Sequence, residues 1–216
     1  MWVADLGNNR VLEFVKESGS FTNGQAASLV IGQSSFTSSV SALSKVGLHA
    51  LTAIAFDPSG NLWVADLGNN RVLKFDIGSG FTDGEPASLV LGQSSFTSGA
   101  AGLSATKFNY DDGLAVDSSG NVWVSDSLNR RILEFVDPTT NGQPAALVIG
   151  QNDFTTGTSG SGQTGLADPA GIAFDPSGNL WGGGLFQFQS SRVSRSFFRS
   201  LYLSSLLLRL TELSSA

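Results

Sequence analysis

A unit of about sixty residues recurs along this chain, and such a recurrence limits the chain to folds built from stacked repeats. The unit is marked by four tryptophans at one phase, namely Trp2, Trp63, Trp123 and Trp181. Successive tryptophans lie 61, 60 and 58 residues apart. Residues 2–14 recur at residues 63–75 with a single change, Lys74 in place of Glu13, and recur more loosely at residues 123–135.

Each unit is predicted to contain four short β-strands, because β-branched and aromatic runs alternate with Gly, Pro, Asn and Asp. An Asp-Pro-Ser-Gly-Asn turn separates the first two strands of the second unit, and a Leu-Gly-Asn-Asn turn separates the next two. The strands of this unit are predicted at residues 52–56, 62–66, 71–75 and 87–92. A linker rich in Ser, Gly and Ala follows over residues 93–112, with a short helical turn near residues 104–108.

A repeated four-stranded antiparallel unit is the blade of a β-propeller, so the predicted fold class is all-β, a partial β-propeller. One blade cannot bury both of its faces, and its neighbours must therefore stack on it. The predicted divisions are a partial blade, two complete blades and half of a fourth, over residues 1–33, 52–93, 112–151 and 170–181. Residues 1–33 begin at the second strand of a blade, so the first blade lacks its inner strand. We therefore expect a fragment of a larger ring with unpaired strand edges.

The second unit resembles the NHL repeat. The shared features are an apolar strand, Asp-x-x-Gly, an apolar strand ending in Asp, Asn-x-Arg-Val and a final Phe, and they include Asp57, Gly60, Asp66, Arg71 and Phe75. The resemblance covers residues 1–181, although typical NHL units are shorter and the excess here lies in the linker. It implies a six-bladed type of propeller that presents a rigid surface to proteins, glycans or other ligands.

The repeat breaks after Trp181, where three glycines replace the expected Val-Ala-Asp. A capping segment is one interpretation of this tail, and a shifted reading frame is another. Codons for Trp-Val-Ala-Asp-Ser-Phe-Asn-Ser-Arg-Val-Leu-Glu-Phe, with one G inserted after the Trp codon, can encode Trp-Gly-Gly-Gly-Leu-Phe-Gln-Phe-Gln-Ser-Ser-Arg-Val, which is the sequence of residues 181–193. Since the hidden frame restores the repeat, we expect residues 182–216 to be a frameshift product.

Charge and composition exclude several classes of partner. The formal net charge is −6, and residues 1–181 carry 17 acidic against 8 basic side chains, a balance of −9. An acidic body repels phosphate backbones, so we expect no nucleic-acid partner. No apolar run reaches the length of about 18 residues that indicates a membrane span. The absence of cysteine excludes disulfides and leaves the compartment open, while the near-identical repeats and low charge favour an extracellular or cell-envelope protein.

The repeated charged residues are the first candidates for a site. An Asp closes the second strand of each unit and an Arg opens the third, at Asp5, Asp66, Asp126, Arg10, Arg71 and Arg131. An acidic ring could bind a cation, and an Arg ring could bind an anion. We favour a structural role, because the carboxylate can accept backbone N–H bonds and the guanidinium can clamp the turn or a neighbouring blade.

A second repeated carboxylate, at Asp57, Asp117 and Asp175, opens the Asp-x-Ser-Gly-Asn turns. These turns lack the alternating ligands and the closing Glu of a calcium loop, so a plain turn is favoured.

Three further residues depart from the repeat. Asp111 and Asp112 could bind a cation or act as acid and base, but solvated loop charges are the favoured interpretation. His49 is the single histidine and could face the central channel, where one His alone cannot supply a metal site.

Two repeated elements are predicted to serve packing. The tryptophans are expected between blades rather than on a ligand. In the Leu-Val-x-Gly-Gln element, which ends at Gln33, Gln93 and Gln151, the Gly allows a close approach of a neighbour and the Gln can hydrogen-bond the next blade.

The sequence therefore assigns no catalytic, cofactor-binding or metal-binding residue, and it contains neither a Gly-x-Ser-x-Gly elbow nor a phosphate loop. It favours a ligand- or protein-binding scaffold without catalysis, with an unidentified protein or carbohydrate as partner. The alternative is a fragment of a propeller enzyme of the lyase or lactonase type, with a metal in its central channel.

Overall fold

The computed structural model describes residues 1–184 and arranges their strands in four antiparallel sheets. The first sheet contains β1 (Trp2–Asp5), β2 (Arg10–Glu13) and β3 (Leu29–Ile31). The second contains β4 (Ala53–Phe56), β5 (Leu62–Asp66), β6 (Arg71–Phe75) and β7 (Leu89–Leu91), and the third contains β8 (Asp111–Val116), β9 (Val122–Asp126), β10 (Arg131–Phe135) and β11 (Leu147–Ile149). The fourth contains β12 (Pro169–Phe174) and β13 (Leu180–Gly184). We call these sheets the first to fourth blades.

The predicted all-β fold class and the four-stranded antiparallel blades are confirmed, since the second and third sheets run β4-β5-β6-β7 and β8-β9-β10-β11 in spatial order. The bounds predicted for β5 and β6 are those observed, while the outer strand β7 is shorter than predicted. The helical turn predicted near residues 104–108 is wrong. An isolated bridge between Ser104 and Lys107 closes a tight turn there instead.

The middle hairpin of each complete blade owes its sharp reversal to one residue in the left-handed region. In the second blade a single turn of 3₁₀ helix, Leu67–Asn69, is followed by Asn70 at φ 49°. Asparagine tolerates this conformation better than most residues. The reversal sets the register of β5 and β6 so that Asp66 lies directly opposite Arg71.

Two hydrophobic cores lie between consecutive blades, as stacking requires. One core packs the first blade against the second and includes Val11, Leu48, Val64, Leu73 and Phe75. The other packs the second blade against the third and includes Val72, Phe108, Val124, Leu133 and Phe135.

The strand order places the connections at two opposite ends of the blades. The linkers between blades and the β5–β6 type of turn lie at one end, which we call the linker end. The Asp-x-Ser-Gly-Asn turns and the loops before each outer strand lie at the other, which we call the turn end.

The outer strand of one blade is capped by a loop of the next. The backbone N–H of Val30 in β3 donates to the Asp83 carboxylate at 2.9 Å, and the N–H of Gly84 donates to the Val30 carbonyl at 2.9 Å. Asn141 and Gly142 bind Val90 of β7 in the same way, at 3.0 and 2.9 Å. The capping loops therefore satisfy edge groups that would otherwise be open to another strand.

The predicted frameshifted tail, residues 182–216, lies outside the described residues except for Gly182–Gly184, which are the end of β13. Within residues 1–184 no helix is long and apolar enough to cross a membrane.

Candidate functional site

The repeated Asp and Arg meet in a buried ion pair at the linker end. The Asp66 Oδ2 atom lies 2.7 Å from Arg71 Nε, and both side chains are 0% exposed. Asp66 also accepts hydrogen bonds from the His49 backbone N–H at 2.6 Å and from the Asn69 amide at 2.9 Å. Burial raises the pKa of Asp66 against the opposing pull of Arg71.

The Arg71 guanidinium holds two linkers at once. It donates to the Phe96 carbonyl at 2.6 Å in the linker that leaves the blade, and to the Ser44 and Gly47 carbonyls at 3.0 Å in the linker that enters it. Arg131 repeats these contacts in the third blade. The guanidinium therefore serves the clamping role predicted from the sequence, and its N–H groups are directed at protein carbonyls rather than at a ligand.

The second repeated carboxylate is also fully used within its turn. The Asp57 oxygens accept the backbone N–H groups of Ser59 and Asn61 at 2.9 and 3.0 Å, and the Asn61 amide at 2.9 Å. A fourth bond comes from the Trp63 indole N–H at 3.1 Å. Asp117 and Asp175 make the same four bonds. These donors favour the charged form, and they lower the pKa of Asp57 despite its partial burial.

The bond from Trp63 to Asp57 was not predicted from the sequence, although an Asp lies six residues before each of the last three tryptophans and this constant spacing is the signal. The predicted packing of the tryptophans between blades is observed. Trp63 is 2% exposed, whereas Trp181 in the fourth blade is 65% exposed.

Asp111 and Asp112 were predicted to be solvated loop charges. This prediction is wrong for Asp111. Asp111 begins β8, is fully buried, and has no hydrogen-bond partner at either carboxyl oxygen. The buried Ser125 hydroxyl likewise has none. Burial raises the pKa of Asp111 well above the usual range, and the nearby carboxylates of Asp66 and Asp126 act in the same direction.

Aligning the repeats would have given a signal for this burial. The position of Asp111 corresponds to Leu51 and Pro169, which lie six residues before Asp57 and Asp175, and both are buried. Asp112 is half-buried, and burial raises its pKa as well.

His49 does not lie in a cluster of ligands. Its ring packs over Gly68, where an added Cβ would come within 2.6 Å of the imidazole, and its carbonyl accepts the Gly68 N–H at 2.9 Å. Among residues 1–184, no group of three or more His, Asp or Glu side chains is placed to hold a metal ion.

The Gly-Gln element anchors the linkers. Gly92 has a φ of +78°, and a Cβ there would lie 2.2 Å from the Phe108 ring, so the predicted close approach at this Gly is confirmed. The Gln93 amide donates to the Asn70 carbonyl at 2.8 Å and to the Ala100 carbonyl at 3.0 Å. The Gln thus binds its own blade and its linker, which corrects the expected contact with the next blade.

An open groove lies at the turn end between the first and second blades. Its volume is about 430 Å³, and its lining includes Trp2, Glu13, Leu29, Phe56, Ile77 and Phe81. We call it the aromatic groove. Trp2, Glu13 and Leu29 lie opposite one another on adjacent strands, so their side chains form one row on the face of the first blade.

The aromatic rings of this groove meet edge to face. The Trp2 and Phe56 ring centroids are 5.5 Å apart at an interplanar angle of 65°, and those of Trp2 and Phe81 are 5.2 Å apart at 75°. Phe56 is 39% exposed, so part of this aromatic surface faces solvent. The groove combines an apolar lining with a single carboxylate, which is the usual make-up of a small-molecule site.

The recess between the second and third blades occupies the same place and differs in content. It measures about 190 Å³, and its lining includes Trp63, Lys74, Asp57 and Asp137. The Lys74 ammonium lies 5.7 Å from the centroid of the Trp63 ring and 3.2 Å from the Asp76 carboxylate. Lys74 is the one residue that differs between residues 63–75 and their copy at residues 2–14, and Glu13 occupies the equivalent position in the aromatic groove.

Comparison with solved structures gives several propeller proteins at low identity. Virginiamycin B lyase from Staphylococcus aureus is 14% identical, with a TM-score of 0.45, over 84% of this chain and 44% of that one. An auxiliary nutrient binding protein from Bacteroides thetaiotaomicron is 15% identical, with a TM-score of 0.49, over 82% of this chain and 40% of that one. A luciferin-regenerating enzyme is 15% identical, with a TM-score of 0.41, over 71% and 43%. The chain thus spans less than half the length of each of these structures.

No curated protein matches the chain in sequence. The family model described as NHL repeat matches residues 51–75, which contain β4, β5 and β6. These three strands carry the Asp-x-x-Gly turn, the buried Asp66–Arg71 pair and the final Phe75 on which the resemblance was based. Residues 51–75 are therefore similar to the NHL repeat, and the four-stranded antiparallel blades of the chain are those of a β-propeller.

Proposed function

We propose that the chain is a binding scaffold without catalysis of its own, and that the aromatic groove takes its ligand. The observation that carries this proposal is the groove itself, an open recess of about 430 Å³ with exposed aromatic surface and one carboxylate. The ligand is a small molecule or a side chain of a protein partner, since a recess of this size accepts either.

The rigidity of the surrounding blades supports this proposal. The repeated Arg and Gln side chains bind linker carbonyls at the opposite end, and the repeated Asp side chains close the turns beside the groove. A scaffold held in this way keeps its binding surface in one conformation, which lowers the ordering cost of binding.

The alternative is a fragment of a propeller enzyme of the lyase or lactonase type with a metal in its central channel, and Asp111 and Asp112 are a separate candidate for acid–base chemistry. Asp111 is 0% exposed, and a catalytic acid must come within hydrogen-bond reach of its substrate. Its burial therefore argues against Asp111 as such an acid.

Ligand-observed NMR with the 216-residue chain tests the proposal. The probes are glucose, N-acetylglucosamine, indole-3-acetate and choline, each offered separately, and saturation transfer from the protein is measured. Phe81→Ala removes a ring that lines the groove and should abolish transfer to whichever probe binds there. Thr139→Ala, at the corresponding position of the third blade, is the matched control and should leave transfer unchanged. Transfer that is absent for all probes, or that Phe81→Ala does not alter, contradicts the proposal.

A further inference from the structure

The aromatic groove contains one carboxylate, and no described residue in its lining carries the opposite charge. Glu13 is the one charged residue in the lining of this groove, and it lies directly opposite Trp2 on the neighbouring strand. Its carboxylate accepts one hydrogen bond, from the Ser28 hydroxyl at 3.2 Å. The remaining acceptor sites of the carboxylate are therefore available to a ligand, and they favour a positively charged one.

The rings beside Glu13 favour the same kind of charge. Trp2 contacts both Phe56 and Phe81 edge to face, at interplanar angles of 65° and 75°, and Phe56 is 39% exposed, so part of this aromatic surface faces solvent. A cation over an aromatic face is attracted by the negative charge of the π-system, and Trp gives the strongest attraction. An alkylated ammonium suits such a surface best, because its methyl groups also bury apolar area.

The equivalent recess, between the second and third blades, already contains a cation of the chain itself. There the residue opposite the tryptophan is Lys74, and its ammonium lies 5.7 Å from the Trp63 ring centroid. The chain therefore places its own ammonium over the tryptophan of the smaller recess, beside the carboxylate of Asp76. In the aromatic groove the same position holds Glu13, and no Lys or Arg side chain of the described residues lines this groove.

We propose that the aromatic groove binds an alkylammonium cation, with Trp2, Phe56 and Phe81 around its methyl groups and Glu13 as its counter-charge. This inference rests on the proposed function and names the ligand class of the same site. A carbohydrate is less suited to the groove, because it needs several convergent hydrogen-bond partners and the lining supplies one ionised group. The ammonium is carried either by a free small molecule or by a trimethyllysine side chain of a protein.

The test compares choline with 3,3-dimethylbutan-1-ol, its uncharged isostere, by isothermal titration and by ligand-observed NMR of the methyl singlet. We expect choline to bind at least about fivefold more tightly than the isostere, because only choline gains the cation–π and carboxylate attractions. A peptide carrying trimethyllysine, paired with the same peptide carrying lysine, distinguishes the two sources. Tighter binding of the modified peptide than of choline assigns the site to a protein ligand, and the reverse assigns it to a free solute.

Three variants locate the binding. Glu13→Gln should weaken choline at least about fivefold and leave the isostere unchanged. Glu13→Lys copies the second blade and should abolish choline binding, since it brings an internal ammonium to the groove. Glu134→Gln changes the corresponding carboxylate opposite Trp123 in the third blade and should have no effect. Circular dichroism confirms that each variant is folded.

The result that overturns this inference is equal affinity for choline and its isostere, or full retention of choline binding in Glu13→Gln. Such a result leaves the proposed function intact if another probe still binds the groove in a Phe81-dependent way. Absence of any Phe81-dependent binding overturns both.

Discussion

At the scale of single residues, Asp111 is a buried carboxyl group that destabilises the fold. A carboxyl group buried without a partner loses its hydration and gains nothing in return, so it is held in the neutral form. The two flanking carboxylates, Asp66 and Asp126, are compensated by Arg71 and Arg131, whereas Asp111 has no cation beside it in the described structure.

Replacing Asp111 with Leu, the residue that Leu51 supplies at the same position of the second blade, should stabilise the protein. We expect a gain of about 1–3 kcal/mol in the free energy of unfolding at pH 7, because an apolar side chain has no charge to desolvate. Asp111→Asn, which keeps the shape and removes the charge, separates the effect of charge from that of packing. Chemical denaturation of the three proteins measures these differences, and a loss of stability in Asp111→Leu would contradict the account.

The pH dependence of this effect has a definite sign. The folded-state pKa of Asp111 is raised by burial, so its contribution to stability is complete below the unfolded pKa of about 3.9 and is lost as the pH rises towards the folded-state value. Over that window the stability of the wild type should fall relative to either variant as the pH rises. A difference in stability that stays constant from pH 4 to pH 7 would show that Asp111 does not retain its proton.

Residue-level prediction from the sequence succeeded where a residue acts within its own turn and failed where its partner is remote. The turn role of Asp57 follows from its own five-residue segment. The burial of Asp111 depends on how the inner strands of adjacent blades approach, as seen where Gly113 leaves no room for a Cβ beside the Ala170 carbonyl. A local sequence pattern does not indicate how closely the inner strands of two blades approach.

At the scale of elements, the linkers are ordered by side chains of the strands and turns rather than by secondary structure of their own. Arg71 binds three linker carbonyls, and Gln93 binds one more together with the end of a turn. The Gly92–Phe108 contact then fixes the linker beside the outer strand. The sequence showed which residues recur in this element. It did not show that Phe108, 16 residues later, packs against Gly92, because a linker without hydrophobic periodicity does not indicate which of its side chains are buried.

The linker clamp makes Arg71→Lys strongly destabilising. Lysine cannot reproduce the planar set of donors, so several buried carbonyls and Asp66 lose their partners, and we expect a cost of about 3 kcal/mol. Arg10→Lys is the matched control, since the Arg10–Asp5 pair is partly exposed at 16% and 25% and should cost about 1 kcal/mol or less. Equal losses in the two variants, measured by urea denaturation, would argue against burial as the cause.

At the scale of the whole molecule, each blade depends on the next for two things: cover over its tryptophan and a cap for its outer strand. Trp63 is covered by the third blade, while Trp181 of the last described blade is 65% exposed. The loops of Asp83 and Asn141 cap β3 and β7. The stacking was predictable from the repeat, but the capping was not, because it joins an Asx-Gly pair in one unit to a strand more than 50 residues earlier.

Hydrogen exchange measures this dependence directly. The outer strands β3 and β7 are buried at every residue, whereas Leu147 and Ile149 of β11 are 40% and 41% exposed. No described residue caps Val148, the counterpart of Val30 and Val90. We therefore expect the Val148 amide to exchange at least roughly tenfold faster than the Val90 amide, since local opening of an uncapped edge costs less free energy.

The control for this comparison is Asn141→Ala, which removes the cap of Val90 and leaves β11 unaltered. In that variant the Val90 amide should approach the exchange rate of Val148, while Val30, capped by Asp83, should keep its protection. Equal protection of Val148 and Val90 in the unmodified chain would contradict the role of the caps in protecting the outer strands.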